Sequence, residues 1–109
     1  MGKIDNKVRR LVDERKAGCI GNTYTTVEDG IVRVFLHGNK IYMRDYNTNT
    51  EYFSLCGWDT PTTKRRLNNL LLNGYIKTKN YTPAFYRYNK KVMDIDKYKN
   101  YVITESGIV

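Results

Sequence analysis

The sequence predicts an α+β fold: an antiparallel β-sheet, built as a meander plus a C-terminal hairpin, with two α-helices. Three observations carry this expectation. Segments rich in Thr, Tyr and Val alternate with short turn signals between Asn22 and Cys56. Two other stretches, beginning near Asp5 and Thr60, space their apolar residues as helices do. The last third alternates Tyr with Lys and Arg, the pattern of further strands.

The elements follow in order. Asp5 is placed to cap the first helix, since its carboxylate can accept first-turn N–H groups. Val8, Leu11 and Val12 stand at i, i+3, i+4, and Gly18 is suited to close the helix. Asn22–Glu28 is the first strand. Asp29-Gly30 is a two-residue turn, because both residues tolerate positive φ. Ile31–His37 is the second strand, Gly38-Asn39 the second tight turn, and Lys40–Tyr46 the third strand. A looser turn over Asn47–Thr50 leads into Glu51–Cys56.

Two-residue loops fix register. They pair Val27 with Val32, Thr25 with Val34, Thr23 with Leu36, then Leu36 with Ile41 and Val34 with Met43. Side chains alternate between faces, so the opposite face carries Tyr24, Thr26, Arg33, Phe35, His37, Lys40, Tyr42 and Arg44. Trp58 reads as a core anchor where strand meets helix. Thr60 is a good N-cap and Pro61 a good first helical residue. That helix is expected to reach about Asn73 and end at Gly74, with Leu67, Leu70 and Leu71 on one side and Arg65, Asn68, Asn69 and Leu72 on the other. After Tyr75-Ile76-Lys77, two long strands are expected over Thr82–Asp94 and Lys97–Thr104, joined near Ile95-Asp96, with a frayed end over residues 105–109.

A chain of 109 residues fits a single small basic domain. No apolar run approaches the ~18–20 residues of a membrane span. The first residues lack the apolar core of a signal peptide, and Asn6 stands where a myristoylation signal needs Ser or Thr. Two cysteines, Cys19 and Cys56, do not make a disulfide framework and fit a reducing compartment. The formal net charge is +8 and is unevenly placed. Residues 61–109 hold ten basic and three acidic side chains, while residues 17–60 hold three basic and five acidic. With 10 Tyr, this balance points to a polyanion with bases to stack, which is nucleic acid.

The middle of the chain resembles a known pattern. Asn22-Thr23, Gly30, Val34, Leu36-His37-Gly38-Asn39, Ile41, Gly57-Trp58-Asp59-Thr60, Thr62-Thr63-Lys64 and Arg66-Leu67-Asn68 are similar to a motif of small, functionally uncharacterised proteins of tailed bacteriophages. The resemblance covers roughly residues 22 to 70. It implies phage provenance and the cytoplasm of the infected bacterial host, and it implies no mechanism. Residues 1–21 and 71–109 lie outside it.

Three groups of residues are candidates for binding. On the meander, Tyr24, Phe35 and Tyr42 flanked by Arg33 and Arg44 follow the logic of a base-stacking sheet, unless a helix covers that face. On the second helix, Thr62, Thr63, Lys64 and Arg65 gather where first-turn N–H groups can seat a phosphate, while capping alone explains Thr60 and Pro61. Arg65, Asn68 and Asn69 offer planar, paired hydrogen-bonding groups on the side away from the leucines. In the last third, Arg87, Lys90 and Lys91 supply phosphate contacts among tyrosines. His37, Cys19 and Cys56 match no zinc spacing, and Asp94 with Asp96 fits turn formation better than a metal pair. No metal, cofactor or enzymatic activity is therefore expected. The expected function is a non-enzymatic phage accessory protein that binds DNA or RNA. The alternative is an inhibitor whose basic, Tyr-rich surface docks on an acidic host or defence protein.

Overall fold

The first helix, α1, spans Lys3–Asp13 of the computed structural model, which describes residues 3–104 and 106–108. The Gly2 position therefore lies outside the described residues. Val8 and Val12 bury the apolar stripe of α1. The helix stops earlier than its sequence suggests. Arg15 takes the left-handed conformation at φ 55°, Lys16 N–H reaches Leu11 O at 2.8 Å and Arg15 N–H reaches Val12 O at 3.1 Å. That bond pair is a Schellman closure, with Arg15 in the place usually held by Gly. Gly18 instead opens β1 (Gly18–Ile20), where a Cβ would stand 2.9 Å from Leu11 Cδ1. β1 pairs with β2 (Thr23–Glu28), a hairpin that the sequence pattern does not announce.

β2 and β3 (Ile31–Leu36) pair as expected: Val27 with Val32, Thr25 with Val34, Thr23 with Leu36. The next turn departs by one residue. It is His37-Gly38, at φ 51° and 81°, rather than Gly38-Asn39. Leu36 therefore pairs with Asn39 and Phe35 with Lys40. A bulge then leaves Ile41 opposite no partner, so Val34 faces Tyr42 and Val32 faces Arg44. The extra residue lets both Ile41 and Tyr42 be buried, and it turns Tyr42 and Arg44 of β4 (Asn39–Asp45) to the core side.

β5 (Thr50–Phe53) continues the meander. α2 covers Pro61–Leu70. Thr60 caps it, accepting Thr63 N–H at 3.2 Å, and Pro61 sits in its first turn. The helix ends at Leu70, not near Asn73, because Glu51 Oε1 takes the Leu72 N–H at 2.9 Å and draws the chain out of helical geometry. β6 (Tyr75–Lys79), β7 (Thr82–Arg87) and β8 (Lys90–Asp94) then form a separate three-stranded antiparallel sheet. The long strand expected over Thr82–Asp94 is thus two strands, folded back at Tyr88-Asn89 with φ 54° and 62°. β9 (Tyr101–Thr104) does not pair with β8. It lies beside β5, and β10 (Gly107–Ile108) pairs with β9, so part of the expected frayed end is ordered. The large sheet has the order β1-β2-β3-β4-β5-β9-β10, which makes the fold α+β with antiparallel sheets.

One apolar cluster joins these pieces. Val8, Val12, Leu67 and Leu70 of the helices meet Val32, Val34, Ile41, Phe53 and Ile103 of the large sheet. The small sheet enters through Ile76 and Phe85, and Phe85 stacks on Phe53 with 6.1 Å between ring centres. Phe53 in turn stacks on Tyr101 at 5.2 Å.

A buried polar clamp accompanies the apolar cluster. Asp5 does not cap α1. It lies inside the first turn, buried, with its carboxylate held by Arg66 and by Arg65 Nε at 3.0 Å. Its backbone carbonyl accepts Asn69 Nδ2 at 2.7 Å, and Arg66 Nε also reaches Thr23 Oγ1 at 3.2 Å. The clamp ties α1 to α2 and β2. Replacing Asp5 by Ala leaves the buried Arg66 guanidinium without its carboxylate, and urea denaturation is expected to show a loss of about 3–5 kcal/mol. Thr60→Ala removes only the cap and is expected to cost about 1 kcal/mol in the same measurement. Equal losses in the two variants would count against the clamp.

Candidate functional site

The meander platform forms only in part. Tyr24 and Phe35 lie opposite each other in β2 and β3 and stack with centroids 4.7 Å apart and planes at 8°. Arg33 shares their face and is half-buried. Tyr42 and Arg44, expected beside them, point to the other side, because the early turn and the Ile41 bulge invert the alternation of β4. Tyr42 Oη donates to Glu51 Oε1 at 2.5 Å and accepts from Arg44 Nε at 2.9 Å. Arg44 also donates to Asp13 and to the Leu70 carbonyl, both at 2.9 Å. Burial, then the Glu51 carboxylate, pushes the Tyr42 phenol far above its ordinary range. Burial works against the Arg44 charge, but Tyr42, Asp13 and Tyr46 outweigh it and hold the guanidinium protonated. These two side chains bolt α1 and α2 to β4.

The exposed polar side of α2 is also largely engaged within the chain. Arg65 pairs with Asp5, and Asn69 is buried against the α1 backbone. Asn68 binds the Ile76 backbone twice, donating to its carbonyl at 2.8 Å and accepting its N–H at 2.6 Å, and so sets β6 beside the helix. Lys64 pairs with Asp59 at 2.7 Å and donates to the Thr78 hydroxyl. Thr63 is buried with its hydroxyl 3.0 Å from that of Thr60. Thr62 alone of this group keeps a hydroxyl without a hydrogen bond among the described residues, at the half-buried edge of the helix start. The 3.6-residue period sets Arg65, Asn68 and Asn69 away from the leucines. It could not show that α1 and β6 pack on that side too.

The small sheet arranges the third group. Its register places Ile76, Phe85 and Met93 on the core side and Tyr75, Lys77, Lys79, Tyr86 and Lys91 on the other. Tyr75 and Tyr86 stack at 5.4 Å with planes at 12°. Lys90 and Lys91 are exposed, while Arg87 is half-buried and donates to the Thr104 carbonyl at 3.3 Å. Lys91 pairs with Asp94 at 2.6 Å, which raises the lysine pKa through their hydrogen bond. Lys77, Lys79, Lys90, Lys97 and Lys99 are exposed and make no ion pair among the described residues. Tyr81 and Tyr88 stand at opposite hairpin tips, 98% and 88% exposed. The sequence pattern did not single out Lys77, Lys79 and the tyrosine stack, because it gave no register to β6. Their strict alternation over Tyr75, Lys77 and Lys79 was the available signal.

A cleft of about 540 Å³ opens at one end of the large sheet. Its floor is Leu36, Ile41 and Leu55, and its rim is Asn22, His37 and Asn39 on one side and Trp58, Thr60, Thr62 and Thr63 on the other. Trp58 is not the expected core anchor: it is 59% exposed. Cys56 and Gly57 take φ 54° and 81°, and the Trp58 N–H closes the turn on Leu55 O at 2.8 Å, which throws the indole outward. His37 stands across the cleft with Nε2 3.3 Å from Asn22 Nδ2. Asp94 and Asp96 do not converge: Asp94 pairs with Lys91, and Asp96 accepts the Tyr98 N–H in a turn. Among the described residues no group of three or more His, Cys, Asp or Glu is placed to hold a metal ion. No helix of the described residues is long and apolar enough to cross a membrane.

The sequence model of the family described as Kyanoviridae Gp96 protein matches residues 1–105. The chain belongs to that family. It is a phage protein, as the resemblance in its middle implied, and the match extends over residues 1–21 and 71–105, which the resemblance left out. No curated protein and no solved structure matches the chain.

Tyr42 gives the core network a pH signature. Its folded pKa lies above the ordinary 10.0, so its contribution to stability is whole below about pH 10 and is lost progressively as pH rises beyond. Tyr42→Phe is expected to lose about 1–3 kcal/mol at neutral pH, because it strips a partner from buried Glu51. Melting temperatures followed from pH 8 to about 11 should then fall less steeply in Tyr42→Phe than in the parent. Parallel curves would place the alkaline sensitivity elsewhere.

Proposed function

We propose that this phage protein is a non-enzymatic accessory factor that binds nucleic acid in the cytoplasm of the infected host, using the outer face of the small sheet and the adjoining Lys97–Asn100 loop. One observation carries this reading: the cations are divided into two populations. Most of those near the helices and on β4 are matched with carboxylates, as Arg9, Arg10, Lys16, Arg44, Lys64, Arg65 and Arg66 are, while Lys3, Lys7 and Lys40 make no ion pair among the described residues. Those of the small sheet and its following loop are mostly unmatched among the described residues and stand among the Tyr75–Tyr86 stack and exposed Tyr81, Tyr88 and Tyr98. Unneutralised cations at strand spacing suit a phosphate backbone, and tyrosine faces suit bases. Of the three basic residues expected here, Lys91 shares the outer face with Tyr86, whereas Arg87 and Lys90 alternate to the other side, where Arg87 donates to the Thr104 carbonyl and Lys90 stays exposed at the sheet edge. The Tyr24–Phe35 stack with Arg33 offers a second, smaller platform on the large sheet.

Fluorescence anisotropy with single-stranded and duplex DNA and RNA tests the reading. Binding is expected at low salt, weakening steeply as salt rises. Replacing Lys77, Lys79, Lys90 and Lys91 together by Ala should flatten the salt dependence by about one unit of slope for each phosphate left unneutralised. Failure to bind any of the four polymers at low salt would overturn it, and an acidic host protein would then be the partner that suits the same face.

A further inference from the structure

We propose that the Trp58 cleft is a site for one unstacked nucleobase, laid on the indole face with its polar edge turned to Asn39 and Thr62. The cleft has the size and make-up of a small-ligand site, with an apolar floor and a few polar groups at the rim. Trp58 lines the cleft and is more than half exposed, and its indole makes no hydrogen bond among the described residues. The half-buried Asn39 amide and Thr62 hydroxyl line the same cleft and are likewise without a hydrogen bond among the described residues. Asn39 can donate and accept side by side, as a base edge requires. Leu36, Ile41 and Leu55 provide a dry floor, and among the described residues no carboxylate, lysine or arginine lines the cleft. The group it takes is therefore flat, largely apolar and uncharged, with hydrogen-bonding atoms at its edge.

The charge lies just outside. Gly57 N–H donates to Lys97 O at 2.6 Å, and a Cβ on Gly57 would stand 3.1 Å from the Tyr98 ring. The Trp58 turn is thus packed against the loop that carries Lys97 and Lys99. A neutral cleft beside a cationic loop fits a base whose phosphate stays in solvent. The attribution of that base to a bound strand rests on the proposed nucleic-acid function. The base chemistry of the cleft does not, since a free nucleotide presents the same group.

Trp58 is the single tryptophan of the chain, so its fluorescence reports the cleft directly. The experiment titrates the full chain with a short single-stranded oligonucleotide, an abasic strand of equal length and the four nucleoside monophosphates, with anisotropy reporting strand binding in parallel. The expected result is quenching of Trp58 by the oligonucleotide and none by the abasic strand, which still binds through its phosphates. Trp58→Ala should weaken the oligonucleotide about tenfold, keep the salt slope and keep the melting temperature. Asn39→Ala should change the ranking of the four monophosphates. Strand binding that leaves Trp58 fluorescence and the Trp58→Ala affinity unchanged overturns the cleft assignment while the function stands. Quenching by monophosphates without strand binding upholds the cleft and removes the function. Silence in every titration removes both.

Discussion

The Asp5 carboxylate is the constraint from which the helical layer takes its position. A buried carboxylate is tolerable only when cations and donors surround it, and here they come from another helix and another strand. Arg66 cannot reach Asp5 unless α2 lies along α1, and it cannot also reach Thr23 unless both helices sit on β2. A second polar knot at the C-terminal ends of both helices repeats the logic. Arg44 gathers Asp13, Tyr42 and the Leu70 carbonyl, and Glu51 joins Tyr42 to the chain leaving α2. With each helix fastened at two points, the apolar residues between them have one way to pack. Such knots specify geometry more than they add net stability, since burial of the charges offsets much of their attraction.

This arrangement sorts the basic residues by duty. Arginines predominate where a charge must be buried or bridged, because a planar guanidinium can satisfy several acceptors at once. Arg44 and Arg66 each do so. Lysines predominate on the small sheet, where each charge stays hydrated on a flexible stem. A formal charge of +8 therefore overstates what the helical side shows to solvent and understates the contrast with the strand side. The net number could not have revealed this, because the matching depends on which side chains the fold brings together.

The sequence was most legible where a turn had a strong chemical marker. Asp29-Gly30 placed β2 against β3 residue for residue, and Thr60-Pro61 placed the start of α2. It misled where positive φ falls on residues other than glycine. His37, Asn80, Tyr81, Tyr88 and Asn89 all adopt it, with no Gly in the last two turns. Shifting the turn to His37-Gly38 and adding the Ile41 bulge moved Tyr42 and Arg44 from the expected stacking face into the core. Trp58 moved the other way, since a large apolar ring is read as core unless the turn before it is known. Asn68 and Asn69 showed the right side of the helix and gave no hint that other elements cover that side. Local pattern carries the period of an element. It does not carry what packs on its second face.

The lysines of the small sheet also guard its edges. β6 and β8 are its two outer strands, and each presents unpaired backbone groups to any strand that approaches. Lys77 and Lys79 lie on one edge, and Lys90 and Lys91 on the other, next to the bulge at Val92. Like charges and a locally twisted backbone oppose the docking of an identical edge, so copies of the chain are kept from adding strand to strand into larger assemblies. Removing the charge from these two strands would therefore weaken a barrier to self-association as well as the proposed contact with phosphate.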